Sequence, residues 1–484
     1  MKTKSLIESK NFIGGEWVSI DGKETIVYSP SNLQEEVGIL CYSSAKHLLE
    51  AEKSAKEGFK IWSKMTGIER GNYLYKMAEA LENSLEELAV LASREMGKPI
   101  GEMRGEVVRG IHLLRYYAAE GTRSNGDIIP SSDKHVIQFS KRVPLGVVGI
   151  ITPWNFPVAI PIWKIAPALI CGNSVIWKPA ENATLSAIKL TEIFQQANLP
   201  SGVLNLIVGK GKEVGNTLLE TTDIHAVSFT GSSTIGKQVA SICAKRNIKY
   251  QTEMGGKNAA VILHDANIEK TIPMILSGAF RSAGQKCTAT SRIIVEESVY
   301  PIFMKSFNEA VSLLKAKDPL LPDSYLGPVA SKHQYETVSS YVKMAEEEAE
   351  IIAQGSIESD NEGYFIQPLV VAGVDTQHKL VQEEIFGPVT TVLVAKNYDE
   401  AIQLCNETVY GLSASIFTTD LSKAHRFLEE AEAGMVRVNQ ETAGVEYQAP
   451  FGGMKQSSSH SREQGQSALD FYSQIKTCAI KYHF

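Results

Sequence analysis

The chain has few cysteines, no long apolar run and no surplus of positive charge, and each shortage removes a class of protein. Six cysteines (Cys41, Cys171, Cys243, Cys287, Cys405, Cys478) are scattered without a CxxC pair or a Cys/His cluster. Neither a disulfide framework nor a metal site is expected, so any functional cysteine acts alone. No stretch reaches the roughly 18 uninterrupted apolar residues of a membrane span, and residues 1–12 lack the apolar core of a secretory signal. A cytoplasmic protein with no membrane partner is the expectation. Lys and Arg number 48 against 55 Asp and Glu, a formal charge of -7, and no basic run could neutralise a phosphate backbone. Nucleic acid is not an expected partner.

What is present is an ordinary globular composition, 43% hydrophobic and 21% charged. The 484 residues suggest about three units at roughly 150 residues each. From 45 to about 119, apolar residues recur at three- and four-residue spacing, as in helices. Residues 135–143 alternate apolar and polar side chains like a half-buried strand, an arm or an edge hairpin. Beyond 147, strands at 147–151, 174–178, 204–208 and 226–230 alternate with helices at about 161–171, 185–197, 213–220 and 235–246. That order implies parallel strands with crossover helices, an α/β Rossmann-like sheet that binds nucleotides at its strand C-termini. A second alternation has strands at 259–263, 291–295, 389–394, 413–417 and 434–438 and helices at 300–315 and 333–350, and reads as a second α/β domain. The boundary falls near Glu253-Met254-Gly255-Gly256, where two glycines follow a strand.

Three segments could hold a dinucleotide. Gly209 to Gly215 follows a strand and opens a helix, but its GxGxxxG spacing is one residue longer than the usual fingerprint, and a tight structural turn explains it as well. Phe229-Thr230-Gly231-Ser232 again runs from strand to glycine to helix. There Ser232 can donate to a phosphate oxygen and the helix N-terminus offers free N–H groups and partial positive charge. A helix merely capped by serine is the alternative. Third, Trp177-Lys178-Pro179-Ala180-Glu181 ends an apolar strand, where the acid can accept both ribose hydroxyls and Lys178 can donate to them. Glu181 would repel a 2′-phosphate, favouring NAD over NADP; a solvated loop charge is the other reading.

Ala283-Gly284-Gln285-Lys286-Cys287-Thr288 sets Cys287 after a glycine and beside Lys286, an arrangement able to expose a thiol and favour its thiolate. A lone cysteine is more often a small buried hydrophobe, so context must decide. The context is Pro153-Trp154-Asn155-Phe156-Pro157, then Glu253-Met254-Gly255-Gly256-Lys257, the Cys287 segment, and Glu383-Glu384-Ile385-Phe386-Gly387-Pro388, in that order. Together these closely resemble the NAD(P)-dependent aldehyde dehydrogenase superfamily. The resemblance runs from Phe12-Ile13-Gly14-Gly15-Glu16-Trp17 to Pro450-Phe451-Gly452-Gly453-Met454-Lys455 and Arg462-Glu463-Gln464-Gly465.

The resemblance implies an aldehyde dehydrogenase fold. Residues 1–126 and 144–252 would form the dinucleotide-binding domain, 253–448 the catalytic domain and 449–469 a returning segment. A β oligomerisation arm (127–143 and 470–484) would add to a partner's sheet in a homodimer or homotetramer. It also implies the reaction: Cys287 attacks the aldehyde carbon, the Asn155 amide and the Cys287 N–H hold the oxyanion, hydride passes to nicotinamide, and Glu253 activates water to release a carboxylic acid. The cofactor would lie against Ile151, Thr152, Pro153, Trp154, Lys178, Glu181, Gly211, Phe229, Gly231, Ser232, Gly255, Glu384 and Phe386. By the same analogy Glu384 holds the nicotinamide ribose, the pyrophosphate sits at the helix after Ser232, and Gly209 to Gly215 becomes a structural turn. NAD is the expected cofactor, with NADP admitted. Lys178 and Glu463 would form an inner proton relay, each alternatively in an ordinary ion pair.

The expected small-molecule substrate is an aldehyde contacted by Phe156, Trp163, Arg281 and Phe451. Arg281 lies six positions before Cys287 and resembles in position an arginine with which semialdehyde-oxidising members grip a carboxylate, which a guanidinium can hold in bidentate fashion. A structural salt bridge is the alternative. The second gripping arginine of succinate semialdehyde dehydrogenases is replaced by Trp163, which suits an apolar tunnel. The tail from Ala449 to Gly465 looks most like members acting on 2,5-dioxopentanoate (α-ketoglutaric semialdehyde), the expected substrate; succinate semialdehyde or a general aliphatic or aromatic aldehyde is the alternative. CoA-acylating relatives generally lack the glutamate at the Glu253 position, and a non-catalytic structural relative would lack Cys287 or Asn155.

Overall fold

Four helices, Ala45–Trp62, Gly67–Asn83, Leu85–Met96 and Ile100–Glu120, account for the helical periodicity of the first quarter. Their ends follow local chemistry. Thr66 and Glu69 exchange hydrogen bonds in a capping box at the start of the second helix, and Gly97, at φ +83°, ends the third. The computed structural model describes residues 6–123 and 125–483; residues 1–5, 124 and 484, which fall in the expected dinucleotide-binding and arm segments, lie outside the described residues.

Two seven-stranded sheets position everything else. The first runs in the order Lys249–Glu253, Ala226–Thr230, Val147–Thr152, Ser174–Pro179, Leu204–Leu206, then the hairpin Lys10–Ile13 and Glu16–Ser19. Its first five strands are parallel and the hairpin joins antiparallel. From Val147–Thr152 the chain builds outward on one side, then returns to build on the other. The strand order therefore reverses between Val147–Thr152 and Ala226–Thr230, and a crevice opens at their C-terminal ends. The helix Ala159–Ile170 is buried along its whole length beneath this sheet, in a core with Trp62, Trp177 and Leu114.

The second sheet runs Glu350–Gln354, Leu369–Ala372, Val389–Ala395, Thr290–Glu296, Asn258–Ile262, Ser413–Phe417, Met435–Val438, all parallel except the first pair. Its core is aromatic, with Phe303 stacked on Phe307 at 5.2 Å. A separate sheet pairs Ser473–Lys481 with Val136–Pro144 over nine antiparallel residue pairs, with Ile128–Ile129 on the other side.

Three local expectations change. The helix expected over 213–220 is a π-helical turn, Gly211–Gly215, running into the short helix Asn216–Glu220. The helix expected to 350 ends at Glu348, because Glu350 already opens a strand. The strand Leu369–Ala372 was not anticipated, since four fully buried apolar residues after Pro368 carry no periodicity to read.

Candidate active site

The Cys287 loop is built on strained backbone. After the helix Ile268–Phe280, Ser282 and Ala283 take left-handed dihedrals (φ 55° and 52°), a conformation that costs non-glycine residues of order 1–3 kcal/mol each. Glu102 offsets this: its carboxylate accepts from the Ser282 N–H at 3.0 Å and the Ser282 hydroxyl at 2.7 Å. Gly284 follows at φ +69°, where a Cβ would meet the Gly387 carbonyl at 2.1 Å. Gln285 accepts from the Ala330 N–H at 2.9 Å, and Asn258 donates to the Cys287 carbonyl at 2.8 Å. The half-buried Cys287 side chain packs against Phe451 and Met435.

Burial pushes the Cys287 thiol well up, and the Glu384 and Glu253 carboxylates push it further; only the Thr288 N–H works the other way. The expectation that Lys286 favours a thiolate is therefore corrected. The Lys286 ammonium is turned aside, donating to the Ser277 carbonyl at 2.9 Å, and its own burial weakens its charge. A base is needed to ionise this thiol.

Asn155 is buried on the turn that leaves Val147–Thr152, and its side-chain nitrogen donates to the Gln285 carbonyl at 3.1 Å. That bond brings Asn155 onto the Cys287 loop. A buried ion pair that the sequence reading missed fixes this turn. Lys98 Nζ donates to the Asn155 carbonyl and to Glu106, each at 2.6 Å, and lies 3.7 Å over the Phe156 ring. The other Glu106 oxygen accepts the Val158 and Ala159 N–H groups at 2.8 and 3.0 Å, capping the helix Ala159–Ile170.

Glu253 ends the strand Lys249–Glu253, is 1% exposed, and accepts from the Ser458 hydroxyl at 2.5 Å. Among the described residues its other oxygen has no partner. Burial and the nearby Glu463 hold its carboxyl well above the usual range, against the pull of Ser458, Lys164 and Arg462. The expected Lys178–Glu463 pair is corrected. Glu463 pairs with Lys164, which also donates to Ser228 at 2.8 Å. Lys164 reaches Glu463 from inside the buried helix, whereas Lys178 sits at the open end of Ser174–Pro179 and donates to the Pro179 carbonyl at 2.9 Å. The overlooked signal was a single lysine within an otherwise apolar helical run, which needs a buried partner.

The crevice at the strand reversal carries the expected cofactor residues in two groups. At one end Glu181 accepts the Gly211 N–H at 3.2 Å, Lys178 is pushed down to about 8 by burial against the opposing pull of Glu181, and the helix Ser233–Lys245 opens at Ser232. Phe229 lies under this glycine turn, since a Cβ on Gly231 would fall 2.6 Å from its ring, and the Thr152 hydroxyl accepts from Trp177 at 2.9 Å. Ile151 precedes Thr152 on the strand Val147–Thr152, and Pro153 follows at its C-terminal end. At the other end the Glu384 carboxylate accepts the Gly256 N–H at 3.1 Å, and a Cβ on Gly255 would meet it at 2.0 Å. Burial raises Glu384 to about 7, against Gly256 and Lys257. Phe386, held at φ 57°, meets the Trp154 ring edge to face at 5.5 Å. An acid and a lysine at a strand end, a serine-led helix N-terminus and a carboxylate seated on glycines near the thiol fit the ribose, phosphate and nicotinamide ends of a dinucleotide.

On the opposite side a cavity of about 890 Å³ is lined by residues that include Arg109, Met274, Ser277, Met435, Val445 and Tyr447. Met435 and Val445 pack in the cluster that holds Cys287, and Phe451 from the same cluster contacts the Trp163 ring at 5.4 Å. Arg281 is not among the lining residues: it is exposed, its guanidinium 5.4 Å over the Tyr325 ring. Two arginines line the cavity, Arg109 and Arg437, neither singled out by the sequence reading; Arg437 is committed to the Glu441 and Ala443 carbonyls.

A sequence profile of the aldehyde dehydrogenase family matches residues 17–478. The chain is 47% identical over 476 residues to the alpha-ketoglutaric semialdehyde dehydrogenase of Bacillus subtilis, covering 97% of this chain and 98% of that one. It is 37% identical to the 2,5-dioxopentanoate dehydrogenase of Saccharolobus solfataricus over 97% of this chain and 99% of that one. Among solved structures, betaine aldehyde dehydrogenase of Staphylococcus aureus in complex with NAD+ superposes with a TM-score of 0.93 at 32% identity, covering 98% of this chain and 94% of that one.

Proposed function

This chain belongs to the aldehyde dehydrogenase family, and we propose that it oxidises 2,5-dioxopentanoate, or a closely similar short semialdehyde, to the carboxylic acid through Cys287. The observation that carries the chemistry is the convergence of three elements, the Cys287 loop, the Asn155 amide bonded to that loop and the Glu253 carboxyl close enough to act on the Cys287 thiol. The substrate is supported by the names of the relatives, α-ketoglutaric semialdehyde and 2,5-dioxopentanoate dehydrogenases.

Burial holds the thiol protonated and also raises Glu253, so it is the ionised form of Glu253 that serves as base, and it does so twice. It first takes the thiol proton as sulphur attacks the aldehyde carbon, and the oxyanion of the resulting thiohemiacetal is held by the Asn155 amide and the Cys287 N–H. A nicotinamide dinucleotide, when bound, supplies the hydride acceptor. Once the thiohemiacetal carbon has lost its hydride to leave the Cys287 thioester and Glu253 has passed its first proton on, Glu253 takes a proton from water, whose oxygen attacks the thioester; the C–S bond breaks with sulphur leaving as thiolate, and the acid departs. The proton collected at Glu253 passes toward Glu463, whose free oxygen and bond to Lys164 form the inner relay. Glu181 and Lys178 bind the adenosine ribose and Glu384 the nicotinamide ribose. Glu181 favours NAD over NADP by repelling a 2′-phosphate, and the staphylococcal relative was solved in complex with NAD+.

Cys287→Ala is expected to abolish oxidation. Glu253→Gln, assayed by rapid mixing, is expected to give at most one slow NADH burst and then stall; full steady turnover in that variant would remove Glu253 from deacylation.

A further inference from the structure

Three buried donor groups lack acceptors at one place in the structure. Among the described residues Arg109 Nε, Trp163 Nε1 and Gln464 Nε2 have no hydrogen-bond partner. They are neighbours: Arg109 donates from its Nη2 to Gln464 Oε1 at 2.9 Å, and its guanidinium lies 6.0 Å from the Trp163 ring. An isolated unpaired donor is a defect that costs about 1–3 kcal/mol. A cluster consisting solely of donors, one of them cationic, is instead complementary to an anion.

The charge is also unanswered. Arg109 makes no ion pair among the described residues, although Glu106, Glu446 and Arg437 surround it. Glu106 is committed to Lys98 and the helix cap, and Arg437 is turned to the Glu441 and Ala443 carbonyls. Glu446 is near enough to add attraction but not to bond. A guanidinium carried partly out of water without a counter-ion is unfavourable unless something supplies the anion.

We propose that Arg109, assisted by Trp163 Nε1 and the Gln464 side-chain amide, is the anchor that grips the distal carboxylate of the aldehyde substrate. This rests on the semialdehyde reading above. Arg109 lines the cavity together with Met435 and Val445 of the cluster that holds Cys287, and its guanidinium lies 6.0 Å from the Trp163 ring, which contacts Phe451 of that same cluster. An aldehyde at Cys287 thus presents its far carboxylate to Arg109. Arg281, exposed over Tyr325, does not border the cavity.

The test is the ratio of kcat/KM for 2,5-dioxopentanoate to that for pentanal, in wild type, Arg109→Met, Arg109→Lys, Trp163→Phe and Arg281→Ala. The expected result is a ratio that falls about 10- to 100-fold in Arg109→Met, recovers in part in Arg109→Lys, falls less in Trp163→Phe and holds in Arg281→Ala. Glutarate, which carries the anion without the aldehyde, is expected to inhibit pentanal oxidation about tenfold less well in Arg109→Met than in wild type. A wild-type ratio near one would overturn the semialdehyde reading and the anchor with it. A wild-type preference that survives Arg109→Met, or that collapses in Arg281→Ala alone, overturns the anchor and leaves the reading intact. If Arg109→Met does not fold, an undiminished ratio in Arg109→Lys together with Trp163→Phe overturns it equally.

Discussion

Two side chains, Glu384 and Lys178, at the two ends of the crevice titrate in opposite senses near neutrality. Burial raises Glu384 to about 7, so its carboxylate is an acceptor above that pH and is lost as pH falls through it. Burial lowers Lys178 to about 8, so its ammonium is a charged donor below that pH and is lost as pH rises through it. If both touch ribose hydroxyls, dinucleotide affinity is greatest between about 7 and 8 and weakens on both sides. Fluorescence titration of NAD binding across pH is expected to show this bell. Glu384→Gln should flatten its acid limb and Lys178→Arg its alkaline limb; a flat profile in wild type would separate both residues from the cofactor. The same residues show how far single side chains could be read in advance. Cys287, Asn155 and Glu253 stood out because each sits in a motif of distinctive composition. Lys164 did not, since its partner Glu463 is 299 residues away and only the packed helix brings them together.

At the scale of elements, the helix Ala159–Ile170 enters the core at the point where Asn155 must be held, and the Lys98–Glu106 pair makes both connections. Breaking one half of a buried pair strands the other charge. Lys98→Met or Glu106→Leu alone is therefore expected to cost about 3–5 kcal/mol in denaturant unfolding. The double variant should recover much of that stability, because no lone charge remains. It should not recover kcat, because the Asn155 carbonyl has still lost its anchor. A double variant with wild-type turnover would make the pair structural only. Elements of this kind divide the legible from the illegible. The central strands of both sheets could be read because buried apolar runs alternate with long amphipathic helices. Leu369–Ala372 and the strand beside it could not, because a short strand at a sheet margin is defined by its neighbours and carries little pattern of its own. The clamp on Asn155 was equally hidden: Lys98 and Glu106 read as ordinary charges on a helical stretch until the fold buries them.

For the whole molecule, the arm is the part that does not account for itself. Ser473–Lys481 and Val136–Pro144 form a nine-pair ladder, but with only Ile128–Ile129 beside them they carry almost no core. Ile128, Ile475, Ile480, Ile137 and Tyr482 stand 85%, 65%, 54%, 51% and 51% exposed, and Ser473–Lys481 leaves one edge unpaired. A small sheet with apolar side chains in water and an open edge is stable only when something covers it. The occupant we propose is a second copy of this chain, because the arm is part of the folded body at both roots and a two-fold contact between identical arms closes on itself. Sedimentation is then expected to show a dimer or a dimer of dimers at micromolar concentration. Ile475→Lys with Ile480→Lys, which puts charge on both faces of the arm, should shift the species to monomer. Since neither residue lies near Cys287 or the crevice, a monomeric variant would also reveal whether one chain is enough for turnover. Wild type sedimenting as a monomer at all concentrations would remove the second copy, and the exposed isoleucines would then require another partner.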